Sequence, residues 1–190
     1  TETQEVATAT GNDFTTDNAT SVIGFTGNGV GKNHPGTLKL SEGKISVTDG
    51  KVTAGSFTID IKSLGLDEKE EMFQTKLKGH LLSPDFFDAE KFGTAKFEIS
   101  SVEPYTAAAG AASVVEGANY TISGNLTLKD STKNVSFPAA VTVSETEVTA
   151  KANFNIDRTQ WGMSYGNDKS LKDKFISPEV NISLNIKAIK

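Results

Sequence analysis

Apolar side chains return at every second position through most of this chain. Tyr120, Ile122, Leu126 and Leu128 share one parity, while Thr121, Ser123, Asn125 and Thr127 occupy the other. Successive side chains of an extended strand point to opposite faces, so this spacing predicts a strand with one face in an apolar interior and the other in water. The alternation recurs in Val135, Phe137, Ala139, Val141 and Val143, then in Val148, Ala150, Ala152, Phe154 and Ile156, and again in Val180, Ile182, Leu184, Ile186 and Ala188. Half-buried strands following one another in this way belong to an antiparallel sheet.

The first half of the chain is less regular. Leu38 and Leu40 are separated from Ile45 and Val47 by Ser41–Lys44, a polar gap of hairpin size, and Asp49–Gly50 predicts a second reversal into Val52 and Ala54. The apolar parity then changes at Gly55–Ser56, before Phe57, Ile59 and Ile61, as a β-bulge would change it. Asp67, with Glu70 three places on, fits a helix start in which each side chain caps the other's backbone, and Phe73, Leu77 and His80 or Leu81 form an apolar stripe at helical spacing. The turn Gly79–Asp88 carries two adjacent aromatics, Phe86 and Phe87, which calls for a large apolar interior directly beneath it. The Ala- and Gly-rich stretch 106–118 reads as a mobile loop between strands. The expected fold is mainly β: a single antiparallel barrel of about eight strands with one short helix, over residues 13–190. Thr1–Asn12, rich in Thr, Glu and Ala and without periodicity, reads as a flexible leader or tether.

Composition narrows the chemistry. The chain has 190 residues, no cysteine and a formal net charge of −5. Disulfides, thiolate metal sites and a cysteine nucleophile are therefore excluded, and the absence of clustered lysines argues against nucleic acid as a partner. No apolar run approaches the roughly 20 residues that cross a bilayer as a helix. Gly27, Gly29, Gly31 and Lys32 have the look of a phosphate-cradling loop, but a strand rather than a helix follows them, so a glycine loop between strands is the better reading. The two histidines, His34 and His80, are too few and too far apart in sequence to build a zinc site by themselves. His80 suits the end of the helix, held through Asp85 or Asp88, and His34 suits either loop structure or the polar end of a ligand. No serine lies in a nucleophile-elbow context. Arg158, the only arginine, stands three residues before Trp161, the only tryptophan. A guanidinium is a planar fork for phosphate or carboxylate, so Arg158 is either an anion clamp for a ligand head group or the partner of a nearby carboxylate such as Asp157.

Phe57–Ile61 with Ser63 and Leu64, Gly79–Asp88, Thr94–Ile99, Gly124–Leu128 with Thr132 and Lys133, and Asp157–Met163 together resemble the YceI-like family of lipid-binding proteins, in order and spacing, over roughly residues 14–190. Departures include Gly93, where the family usually shows proline. The resemblance implies a lipocalin-like barrel that binds, carries or stores a long amphiphile such as a polyisoprenoid or isoprenoid quinone, without catalysis and with no cofactor beyond the bound lipid. It also implies export to the periplasm or envelope after removal of a signal peptide, a precursor with a lipid anchor, and pairing into a homodimer. Parity assigns Phe57, Ile59, Phe97, Ile99, Leu126, Leu128, Phe137, Phe154, Ile156, Trp161, Ile182 and Leu184 to the apolar lining, with Arg158, His34 and His80 at the head group and no metal. Two alternatives stand beside this reading: an enzyme acting on an amphiphile through His34, His80 and Arg158, and a structural barrel whose interior is filled by its own side chains.

Overall fold

Eight long strands wind up and down around one axis in the computed structural model, which describes residues 1–106 and 115–190. They are β2 (Val22–Gly29), β3 (Lys32–Thr48), β4 (Lys51–Leu66), β5 (Thr94–Pro104), β6 (Tyr120–Leu128), β7 (Ser131–Val143), β8 (Glu147–Asp157) and β9 (Ile176–Ile189). Each pairs antiparallel with the next, and β9 pairs back onto β2, so the sheet closes with no free edge over most of its height. A short β1 (Asn12–Thr16) is inserted between the far ends of β3 and β9. The one α-helix among the described residues, α1 (Glu71–Leu82), lies in the connection from β4 to β5. The mainly β barrel with one short helix is thus the fold that the alternation predicts.

Register explains where the first half of the chain departs from the sequence reading. Ser41–Lys44 is no hairpin, because β3 runs through it as one strand with an extra residue at Ser41: Leu40 faces Ile59 and Glu42 faces Thr58. One inserted residue exchanges the two faces, so Leu38 and Leu40 point inward on even numbers and Ile45 and Val47 on odd numbers. The bulge expected at Gly55–Ser56 lies two residues earlier, at Thr53, since Ala54 faces Ser46 and Val52 faces Val47. Gly55 has a different duty, for a Cβ there would stand 2.8 Å from Ile99 Cδ1. Gly124 is constrained in the same way by the ring of Phe97, whose Cζ would lie 2.3 Å from an added Cβ.

The helix also starts later than expected. Glu70, not Asp67, is the N-cap residue of α1, and it makes no side-chain cap bond. The Asp67 N–H is used elsewhere, donating to Pro35 O at 3.1 Å and so tying the entry of the helix to β3. Of Thr1–Asn12, expected as a leader, Asn12 already belongs to β1, Thr10 bonds to Thr48 and Thr53, and Gln4 and Ala7 lie against β5 and β6. There the outward amide of Asn125 brackets the Gln4 backbone, accepting its N–H at 3.0 Å and donating to its carbonyl at 2.7 Å, while the Ala7 N–H reaches Ile99 O at 2.9 Å. Most of the expected loop over 106–118 lies outside the described residues.

The β7–β8 ladder is shorter than its strands. It stops at Ala139–Ala152, one residue from Pro138, which has no N–H to continue it. Beyond that point a 3-10 turn over Arg158–Trp161 packs on both β7 and β9. Trp161 is buried there, 1% exposed, with its indole N–H donating to Leu126 O at 2.9 Å.

Candidate ligand-binding site

Strand parity and closure leave the barrel hollow. A cavity of about 310 Å³ runs along the axis, within the size range of small-molecule sites. Its wall is built from the inward positions of all eight barrel strands, among them Ile23, Leu40, Ile59, Phe97, Leu128, Val141, Phe154 and Ile182. A band of rings crosses the inner face at mid-height: Phe57 to Phe97 at 6.3 Å, Phe97 to Phe137 at 5.9 Å, and Phe137 stacked on Phe154 at 4.2 Å. Leu77, His80 and Leu81 of α1, with Phe86 and Phe87 of the following turn, complete the wall at one end. That end also holds the β2–β3 turn and the β8–β9 connection, since Gly29 pairs with both Lys32 and Ile176.

Of the residues that parity assigns to the lining, Phe57, Ile59, Phe97, Ile99, Leu126, Leu128, Phe137, Phe154, Ile156, Ile182 and Leu184 do face the cavity. Trp161 does not. Its side chain lies behind the wall in the packing of the 3-10 turn, because the chain leaves the strand at Asp157 and parity stops applying there. Ile23, Phe25 and Ile186 also line the cavity and keep period two, so the pattern that located the other strands locates them as well. Leu77, Leu81, Phe86 and Phe87 come from a helix and a turn, where parity gives no direction.

The polar groups of the wall collect at the α1 end: His34, His80, Arg158, Asn28 and Ser177. Each histidine already has a carboxylate. His34 Nδ1 lies 2.6 Å from Glu68 Oε1, with its ring tilted against Phe73 at 5.7 Å, and His80 Nε2 lies 3.0 Å from Asp85 Oδ2, with its ring edge-on to Phe86 and Tyr165. Arg158 is 4% exposed and pairs with no carboxylate among the described residues. Asp157 instead accepts from the backbone and hydroxyl of Thr159. The guanidinium donates to four carbonyls: Nε to Ser177 O at 3.0 Å, Nη1 to Met163 O, and Nη2 to Tyr165 O at 2.8 Å and Ile176 O at 2.9 Å. The face of Phe86 lies 5.5 Å from its central carbon. Four of the five N–H groups a guanidinium carries are therefore spent on backbone, which makes Arg158 a staple of the β8–β9 connection. Among the described residues its charge has no counter-ion in direct contact, and Asp157 acts on it only at longer range. Burial pushes its pKa below the usual arginine value, against the opposing pull of Asp157.

The three groups share one end of the cavity, but no hydrogen bond joins any two of them. Each sits in its own local arrangement, His34 with Glu68, His80 with Asp85 and Arg158 with four backbone carbonyls.

A closed antiparallel barrel with an apolar lumen, and with polar side chains gathered at one rim, defines a lipocalin-like class of hollow barrel. Within that class the chain belongs to the YceI-like domain family, whose match covers residues 14–188. Its fold is similar to that of BcnA from Burkholderia cenocepacia, with 21% identity, a TM-score of 0.71 and coverage of 91% of this chain and 99% of that one. It is also similar to a polyisoprenoid-binding domain from Saccharophagus degradans implicated in plant cell wall breakdown, at 16% identity, a TM-score of 0.67 and coverage of 97% and 99%. The YCEI protein of Campylobacter jejuni matches at 16% identity and a TM-score of 0.55, over 86% of this chain and 84% of that one. None of the curated proteins matches the chain. No helix among the described residues is long and apolar enough to cross a membrane.

Proposed function

We propose that this protein is a non-catalytic carrier or store that holds a long-chain amphiphile of the polyisoprenoid or isoprenoid-quinone kind inside the barrel. The observation that carries the reading is the apolar cavity, whose polar wall residues gather at the α1 end. Moving each CH₂ from water into such a lumen is worth about 0.8 kcal/mol, so a few isoprene units bind firmly by burial alone. The head group then sits near Asn28, His34, His80 and Ser177, and the charge of Arg158, with no counter-ion in direct contact among the described residues, favours an anionic head. Belonging to the YceI-like family and folding like a polyisoprenoid-binding domain support the same reading, and with it a place of work in the bacterial envelope, where such lipids are handled. A barrel filled by its own side chains is the reading the cavity disfavours.

The experiment is solvent extraction of the purified protein followed by mass spectrometry, with titration of a fluorescent long-chain prenol into the stripped protein. The expected result is a co-purifying isoprenoid lipid and saturable prenol binding. Ala150→Phe, which places a ring in the lumen from β8, is expected to weaken binding at least about tenfold while the barrel still melts cooperatively, because overpacking a hollow site costs less than overpacking a dense core. An extract without lipid, together with prenol binding that neither saturates nor responds to Ala150→Phe, would overturn the proposal.

A further inference from the structure

The apolar residues left in water are not spread evenly over the barrel. Among the described residues the exposed large hydrophobics are Val6, Val22, Val30, Met72, Phe73, Tyr165, Leu171 and Ile189. Five of them, Val30, Met72, Phe73, Tyr165 and Leu171, belong to the three connections around the α1 end: the β2–β3 turn, α1 itself and the β8–β9 connection. Contacts hold these connections together. Phe73 lies against His34, Tyr165 against His80 at 4.7 Å, and the loop bearing Leu171 returns to Ile176, which pairs with Gly29 beside Val30. Met72 is 72% exposed and Val30 56%. Neither is needed to close the barrel.

From this distribution we infer that the cavity's rim docks on the surface of a lipid bilayer containing anionic lipids, with Val30, Met72, Phe73 and Leu171 entering the headgroup layer. The inference rests on the proposed cargo and names where that cargo enters and leaves. A long isoprenoid crosses water at a cost that grows with every methylene, so a carrier that opens onto the bilayer avoids the crossing. Charge supports a bilayer over a second protein. Exposed lysines flank the apolar tips: Lys32 stands over the Phe73 ring at 6.0 Å, Lys76 lies one helical turn beyond Met72, and Lys169, Lys172 and Lys174 bracket Leu171. Apolar tips flanked by lysine are the composition that binds anionic interfaces, by insertion and by attraction together. Asp67, Glu68, Glu70, Glu71, Asp85, Asp168 and Asp173 lie at the same end and balance its lysines, so any attraction is local to the tips and insertion contributes the larger share.

Co-sedimentation of the full chain with phosphatidylcholine vesicles, with and without phosphatidylglycerol, tests the inference. Pelleting is expected with the phosphatidylglycerol vesicles, less of it with phosphatidylcholine alone, and a decline as salt rises. Met72→Asp combined with Leu171→Asp is expected to lower vesicle affinity at least about tenfold, since two apolar insertions are lost and two negative charges are added. Ile189→Asp, at the opposite end of β9, is expected to pellet as the wild type does. Prenol titration of the same three proteins in the absence of vesicles reads the cavity separately, and all three are expected to bind alike. Loss of prenol binding in every protein would overturn the cargo reading, and the docking inference that rests on it. Equal pelleting of the wild type and the rim variant, or a wild type that self-associates through the rim and ignores vesicles, would overturn docking alone.

Discussion

Arg158 shows how one residue type takes on different work once its surroundings are known. A lone arginine near a lone tryptophan invites an anion-binding role, yet four backbone carbonyls from Met163, Tyr165, Ile176 and Ser177 take most of its donors. A buried carbonyl deprived of its partner costs about 1–3 kcal/mol, so Arg158→Met is expected to destabilise the fold by about 3 kcal/mol or more in urea denaturation, with part of the loss offset by removal of a buried charge. Arg158→Lys is expected to recover little, because an ammonium carries three donors on a single atom and cannot span four carbonyls. A shift in midpoint below about 0.5 kcal/mol for Arg158→Met, the usual range for a surface substitution, would show that the staple is not what holds the connection.

At the scale of elements, the bulges decide which residues reach the lumen. Ser41 is the extra residue that lets Leu40 and Ile45, five positions apart, both point inward. Deleting it joins Leu40 directly to Glu42, whose partners Ile59 and Thr58 are already consecutive, so Gly43, Ile45 and Val47 keep their phase against β4 and only the bulge, with its local bend and extra twist, is lost. The expected outcome is a barrel that still melts cooperatively by circular dichroism but at a lower temperature, whereas Ser41→Ala is expected to melt within about 0.5 kcal/mol of wild type because the position is exposed; loss of the cooperative transition on deletion would show that the bulge itself is needed to close the barrel. The rim connection carries its own electrostatic latch. Hydrogen bonds from the Ser170 backbone and hydroxyl hold the Asp168 carboxyl below its ordinary value of 3.8. A depressed folded value means that this contribution to stability is complete above the ordinary value and is lost as pH falls through the lower folded one. Urea midpoints of the wild type and Asp168→Asn are therefore expected to differ by a constant amount from neutral pH down to about 4 and to converge below it. A difference that is flat through the acid range would remove Asp168 from the account.

For the whole molecule, a hollow barrel gives up the close packing that other domains of this size use, and a guest restores it. A ligand that binds only the folded state at 100 times its dissociation constant adds about 2.7 kcal/mol. The melting temperature of the lipid-stripped protein is accordingly expected to rise with prenol concentration, and that rise is expected to be much smaller in Ala150→Phe, whose own ring occupies the lumen. A stripped protein whose melting temperature is indifferent to prenol would leave the cavity without an occupant of this class.

Alternation of apolar and polar side chains was enough to establish the β architecture, the barrel and most of its lining, because in a strand the direction of a side chain follows from position alone. Val135–Val143 and Val180–Ala188 needed nothing more. Where the backbone inserts a residue, as at Ser41 and Thr53, the sequence shows that parity changes but not how: a hairpin and a bulge leave the same trace, and only pairing with the neighbouring strand separates them. Tertiary structure alone also decided the fates of Trp161 and Arg158, which lie past the end of β8 where no periodicity applies, and it brought His34, His80 and the exposed apolar tips from three distant segments to one rim. Local geometry is written in nearest neighbours along the chain, whereas the contents of a site depend on contacts between residues far apart in it, and those exist only once the barrel has closed.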